Sequence, residues 1–141
     1  DEVQAGDGVE VVVRAALEAT ADDVLAADGY VLGTTANFGY MSGALKHFFD
    51  STFLAVGGAL DAGGAPADGA EGPGSTAGRP YGLWLHGRYD LTGAERSVQS
   101  IVGALGWRQG YDVVGALGEL DDAALQAAYE LGATIAALLV A

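Results

Sequence analysis

Residues 30–50 read Tyr-Val-Leu-Gly-Thr-Thr-Ala-Asn-Phe-Gly-Tyr-Met-Ser-Gly-Ala-Leu-Lys-His-Phe-Phe-Asp. Within them, Thr34, Thr35, Ala36, Asn37, Phe38 and Gly39 make a short uncharged stretch offering hydroxyls, a carboxamide and backbone N–H groups. A second polar stretch, His86, Gly87, Arg88, Tyr89 and Asp90 through to Gly93, adds an imidazole and a guanidinium. Such groups can hydrogen-bond the rim of a flat, polar-edged ligand and give close backbone approach at the glycines. Nucleophilic chemistry is poorly served. The chain has no Cys, and Ser42 has no base placed to activate it, so it reads as a helix N-cap. His47 sits among phenylalanines at helical spacing and reads as a partly exposed helix residue. His86, at the end of an apolar run, is the better candidate to bond a ligand. Lys46 follows the helix register outward into solvent, and Asp50 lies about two helical turns beyond the polar stretch, too far to serve it.

The elements that position these residues follow from periodicity. Residues 9–13 (Val-Glu-Val-Val-Val) and 30–33 read as strands. Between them Thr20 caps a short helix with Asp22 and Asp23 in its first turn. After Met41, the residues Leu45, Phe48, Phe49 and Phe53 fall on one helical stripe. Residues 80–85 form a third strand, with its proline at the start, where no ladder donor is lost. Val98, Ile101, Val102 and Leu105 mark the next helix, and residues 111–117 a fourth strand. A final helix opens at Asp121 and Asp122 and turns Leu125, Ala128, Leu131, Ile135 and Leu138 inward. Strands alternating with helices predict a parallel sheet covered on both faces. Both polar stretches then leave strands at the carboxyl edge, where such sheets bind ligands. Residues 55–79 hold Gly, Ala, Pro and Asp with little apolar bulk and read as a flexible insertion loop.

Composition narrows the partners. The 141 residues suit one domain with one core, and they carry six Lys+Arg against 19 Asp+Glu, a formal net charge of −13. That balance argues against nucleic acid and anionic membranes as partners. No unbroken apolar run approaches the roughly 20 residues of a bilayer span, and no basic segment precedes an apolar leader. A cytoplasmic protein acting on a small molecule is the expectation. Residues 29–49 and 72–89 nonetheless contain no acid. Two acid-free turns on one sheet edge are what an anionic cofactor would require of so acidic a chain.

The run from Gly33 through Met41-Ser42-Gly43 to Phe49-Asp50 resembles the flavin loop and helix start of the flavodoxin-like NAD(P)H-dependent FMN reductases and quinone reductases. Tyr81-Gly-Leu-Trp-Leu-His-Gly-Arg-Tyr-Asp-Leu-Thr-Gly93 is similar to that family's second flavin loop. The resemblance covers most of the chain. It implies a flavodoxin-like three-layer α/β sandwich, FMN as cofactor, NAD(P)H as reductant, and hydride transfer to a quinone or other small acceptor. Thr34 to Gly39 would wrap the isoalloxazine ring, Phe38 or Tyr40 would stack beside it, and His86 to Gly93 would cover its other edge. No metal is implied, and a homodimer is left open. Two further readings stand beside the reductase: a flavodoxin-type electron carrier, and a remnant that binds no flavin.

The family begins with a strand and a Ser/Thr/Gly loop that grips the FMN phosphate. Here the chain opens with Asp1-Glu-Val-Gln-Ala-Gly-Asp-Gly8, so the resemblance implies a domain lacking its usual first strand, truncated by roughly 25–30 residues. The ring-binding loops are then expected to hold FMN only weakly.

Overall fold

The computed structural model describes residues 8–67 and 75–140. The order is α1 (Ala21–Ala26), β1 (Tyr30–Asn37), β2 (Tyr40–Met41), α2 (Gly43–Thr52), β3 (Ala59–Leu60), β4 (Pro66–Ala67), β5 (Pro80–Gly87), α3 (Thr92–Ala104), β6 (Arg108–Gln109), β7 (Val114–Leu117) and α4 (Asp122–Val140). β5 is the spine of a five-stranded, mostly parallel sheet. It pairs with β1 along one side, and with β6 and then β7 along the other. β2 turns back antiparallel on the end of β1.

Register decides which side chains meet. Tyr30, Leu32 and Thr34 stand level with Tyr81, Leu83 and Leu85, and all six are buried. This face packs with α2 and α3 through Leu45, Phe48, Phe49, Val98 and Val102. Strand alternation sends Val31, Gly33 and Thr35 to the other face, where α4 lies on β5 and β7 through Leu131 and Ile135, beside Val114 and Trp84. Gly82 makes that contact possible, because a Cβ there would stand 2.5 Å from the Leu131 side chain. α4 has 19 residues and a mean hydropathy of 1.5, long and apolar enough to cross a bilayer by those two measures. Its contacts in the fold are with the sheet.

Several elements differ from expectation. Residues 9–13 form no strand, and Val12 and Val13 are exposed. A β-branched run supplies only propensity; a strand exists where a neighbour takes its backbone groups, and no described strand pairs with this one. β1 continues four residues past Gly33 because β2 and β5 supply ladders there. β5 likewise runs on to Gly87. The fourth strand shortens to Val114–Leu117, with the two-residue β6 before it. On α4, Leu125 and Leu138 are both exposed, while Leu131 and Ile135 face inward as expected. Part of the expected insertion loop is ordered as the β3–β4 hairpin, its turn tied by the Asp61 carboxylate to the Gly63 and Ala65 N–H groups (2.9 Å each); residues 68–74 of that loop lie outside the described residues.

α1 is short, and both ends are held by side chains. Thr20 and Asp23 form a capping box at its start. At its end Arg79 Nη1 donates to the carbonyls of Val24, Leu25 and Ala27 (3.2, 3.0 and 2.7 Å) and to the Tyr30 hydroxyl (3.1 Å). A cation there satisfies carbonyls that the helix leaves orphaned. Tyr30 donates in turn to Val24 O at 2.7 Å and stacks on Trp107, centroids 4.1 Å apart. Trp107 Nε1 donates to Thr76 Oγ1, which donates to Val56 O, both at 2.7 Å. This chain of contacts binds residues far apart in sequence.

Burial raises the Tyr30 phenol above its ordinary 10.0, against the opposite pull of Arg79. A folded-state pKa above the unfolded one favours folding while the group stays protonated. That contribution is complete below the unfolded value and is lost as pH rises through the folded one. Urea midpoints are therefore expected to hold level up to about pH 10 and to fall above it. Tyr30→Phe, which cannot ionise, should lower the midpoint at neutral pH yet flatten the alkaline fall.

Candidate functional site

The β1–β2 connection is a two-residue turn at Phe38 (φ 51°) and Gly39 (φ 74°), flanked by the pairs Ala36↔Met41 and Asn37↔Tyr40. Positive φ at both central residues is the hairpin turn whose twist matches its strands. Gly39 adopts it freely, but for Phe38 it is strained. The Phe38 ring is also fully exposed. A bulky aromatic held in a strained turn and offered to water is an observation that points towards ligand contact.

The turn is braced from three sides. Ser42 N–H donates to Thr34 Oγ1 (2.9 Å), which itself donates to Thr35 O (2.8 Å). Met41 N–H donates to Ser97 Oγ on α3 (3.2 Å). Gly93, in the first turn of α3, abuts the turn so closely that a Cβ would overlap the Gly39 carbonyl oxygen.

The second polar stretch leaves β5 beside the first, with Thr35 level with His86. His86 Nε2–H donates to Gly118 O at 2.5 Å, and Gly118 N–H donates back to Gly87 O at 2.8 Å. That bond places the ring proton on Nε2 and leaves Nδ1 as the acceptor of the neutral imidazole. Asp90 Oδ1 accepts from the Thr92 N–H (3.0 Å) and hydroxyl (2.8 Å). The Thr92 bonds hold the Asp90 carboxyl below its ordinary 3.8, so the group is ionised at neutral pH.

Together these loops enclose a cleft of about 600 Å³ at the carboxyl edge of β1 and β5. Thr35, Ala36, Asn37, Phe38 and Gly39 line one side; His86, Gly87, Arg88, Tyr89 and Asp90 line the other. Tyr89, like Phe38, is almost wholly exposed. The size is that of a small-molecule site.

Two residues named from sequence lie outside it. Thr34 is buried, and its hydroxyl is spent on the backbone of Thr35 and Ser42. Gly93 backs the turn from within α3 and does not line the cleft. Two supporting residues escaped sequence reading, Ser97 and Gly118. Both act across long chain separations, and only the strand-ending position of Gly118 left a local sign. Ser42 caps α2 through the Leu45 N–H (3.1 Å), Lys46 pairs with Asp50, and His47 is exposed. Among the described residues no group of three His, Asp or Glu side chains could hold a metal.

No protein-family model matches the chain. Solved structures do. A flavodoxin from the domain Archaea superposes with a TM-score of 0.73 over 94% of this chain and 80% of its own, at 17% identity. The fold is flavodoxin-like. A WrbA-like flavodoxin from Agrobacterium tumefaciens gives a TM-score of 0.61 over 83% of this chain and 69% of its own, also at 17% identity. In sequence, a flavodoxin of Aquifex aeolicus (strain VF5) is 40% identical over 55 residues, 39% of this chain. That match spans 30% of the relative's length. The flavodoxin-like sheet thus accounts for why both polar stretches end at one edge.

Proposed function

We propose that this chain binds the isoalloxazine ring of FMN in the cleft and serves an FMN-dependent oxidoreductase that passes hydride equivalents from NAD(P)H to a quinone or another small acceptor. One observation carries the reading: two polar loops, both built on strand ends, converge on a single crevice that Asn37 and Arg88 share. The residues fit a flat ring with a polar rim. Asn37 and the backbone of both loops supply donors and acceptors for such a rim, and Gly39 and Gly87 allow close approach. Phe38 and Tyr89 are free to cover ring faces, a contact worth about 0.5–1.5 kcal/mol beyond burial. His86, held by Gly118, offers Nδ1 as an acceptor.

When bound, the flavin supplies the redox chemistry, and the protein supplies placement, exclusion of water and electrostatic tuning. An electron carrier is the second reading, favoured by the flavodoxin names of the similar proteins and by the acidic surface, which suits docking to basic partners. One experiment separates them. The purified chain is saturated with FMN and mixed anaerobically with NADPH in a stopped-flow instrument. Bleaching of the visible flavin band is expected for the reductase. A bound flavin that stays oxidised favours the carrier, and a chain that stays colourless with excess FMN binds no flavin at all.

A further inference from the structure

The β1–β5 ladder ends at Thr35 and His86, so the two walls of the cleft stand beyond it and are spaced by what lies behind them. Small residues gather there on the α3 face of the sheet. Strand alternation puts Gly87 on the same face as Leu83 and Leu85, and Gly115 on β7 joins them by pairing with Leu85. A Cβ on Gly87 would stand 2.9 Å from Leu91 Cδ2 and 3.1 Å from the Ala36 Cβ. One on Gly115 would stand 2.8 Å from Leu91 Cδ1. The two methyl groups of Leu91 thus occupy a trough that glycines on two different strands leave open.

Leu91 joins the cleft to α3. It follows Asp90, which lines the cleft, and it packs half-buried against the main core. It holds the N-cap position of α3 with helical φ and ψ and makes no cap bond; Asp90 supplies that oxygen to the Thr92 N–H instead. Leucine is among the weakest capping residues, so packing is what this position contributes. The same helix also touches the opposite wall. Gly93 abuts the Gly39 carbonyl, and Ser97 Oγ accepts the Met41 N–H. Both walls are therefore braced from the first two turns of α3.

We propose that Leu91 is the positioning residue that sets the gap of the cleft. Seated in its trough, it fixes the Arg88–Asp90 wall against α3, while Gly93 and Ser97 fix the Phe38–Gly39 wall against the same helix. The consequence for ligand affinity rests on the flavin reading of the site; the bracing rests on geometry alone. A wall held this way is ordered before the ligand arrives. With the trough emptied, the ligand has to order the wall as it binds, and affinity falls by that entropy.

The test compares Leu91→Ala with Val98→Ala, which truncates a fully buried side chain two turns further along α3. Both should lose stability in urea. Only Leu91→Ala is expected to weaken FMN binding, read by flavin fluorescence, by about fivefold or more, the effect of re-ordering one backbone residue. Leu91→Met refills the trough at similar volume and should restore binding. Gly115→Val enters the same seat from β7, away from the cleft lining, and should weaken binding too; it decides the matter if Leu91→Ala does not fold. In the ligand-free chain, Leu91→Ala should speed amide exchange at Thr92 and Gly118, whose N–H groups bond Asp90 Oδ1 and Gly87 O. Exchange at Leu105, bonded to Ile101 at the far end of α3, should not change. Equal losses of binding in Leu91→Ala and Val98→Ala, or exchange that rises along the whole helix, overturn the inference. Unaltered FMN binding in both Leu91→Ala and Gly115→Val overturns it as well, and leaves the flavin reading intact. If the unsubstituted protein binds no FMN, the flavin reading fails, and the exchange pattern alone decides whether Leu91 holds the wall.

Discussion

Gly93→Ala is expected to cut flavin affinity tenfold or more, about 1.4 kcal/mol or greater, while α3 stays helical. The added Cβ would overlap the carbonyl oxygen of Gly39. Backbone cannot rotate out of the way as a long side chain can, so the Phe38–Gly39 turn must move. That turn carries one wall of the cleft. Moving it also strains the Met41 bond to Ser97. Overpacking of this kind costs about 1–3 kcal/mol, offset by up to about 1 kcal/mol because alanine is the better helix former. Stability should therefore fall modestly while binding falls steeply. Flavin titration and urea unfolding of the same variant check both halves. Gly103, also on α3 but with open space where its Cβ would go, is the control. Gly103→Ala should leave binding unchanged and raise stability slightly.

Trp107→Ala carries the largest expected loss of stability, about 3–5 kcal/mol. Domains of this size have about 5–15 kcal/mol in hand, so the variant should be marginal at room temperature. Trp107 is buried, stacks on Tyr30 at 4.1 Å and lies 6.5 Å from Tyr81. Its removal empties the corner where α1, β1 and β5 meet and deprives the Thr76 hydroxyl of a donor. Trp107→Phe keeps a ring in the stack but loses the bond to Thr76, worth about 1 kcal/mol, and should fall between. Urea unfolding curves for the three proteins rank them directly.

The sheet and its helices were largely legible because their signals are periodic. The stripe of Leu45, Phe48 and Phe49 and that of Val98 and Val102 turned inward as read, because burying an apolar face is what fixes a helix in place. Residues 9–13 misled for the converse reason: β-branched content speaks of fitness for a strand, not of a neighbour to pair with. Strand ends were hard to place. Thr34 to Asn37 look like a turn by composition, yet ladders with β2 and β5 carry them into β1. At the cleft, the lining residues were found from residue type and from the carboxyl-edge rule. Their supports were not, since Ser97 and Gly118 meet the site only after folding. The places of Thr34 and Gly93 outside the lining have the same origin, because neither sequence position says whether a residue faces a cavity or braces its wall.

β1 meets β5 along residues 30–35, while β2 covers only Ala36 and Asn37 on the opposite margin. Over those six residues that margin presents outward N–H and C=O groups to which no described strand is paired. Proteins usually guard such borders with lysine, proline or an inward-pointing carboxylate, and residues 30–35 contain none of these. What keeps neighbouring molecules from zipping together is then mutual repulsion at a distance rather than any local sentinel. Concentrated brine shortens that reach from about 10 Å to about 3 Å, and under those conditions the molecules are expected to grow onto one another along this margin.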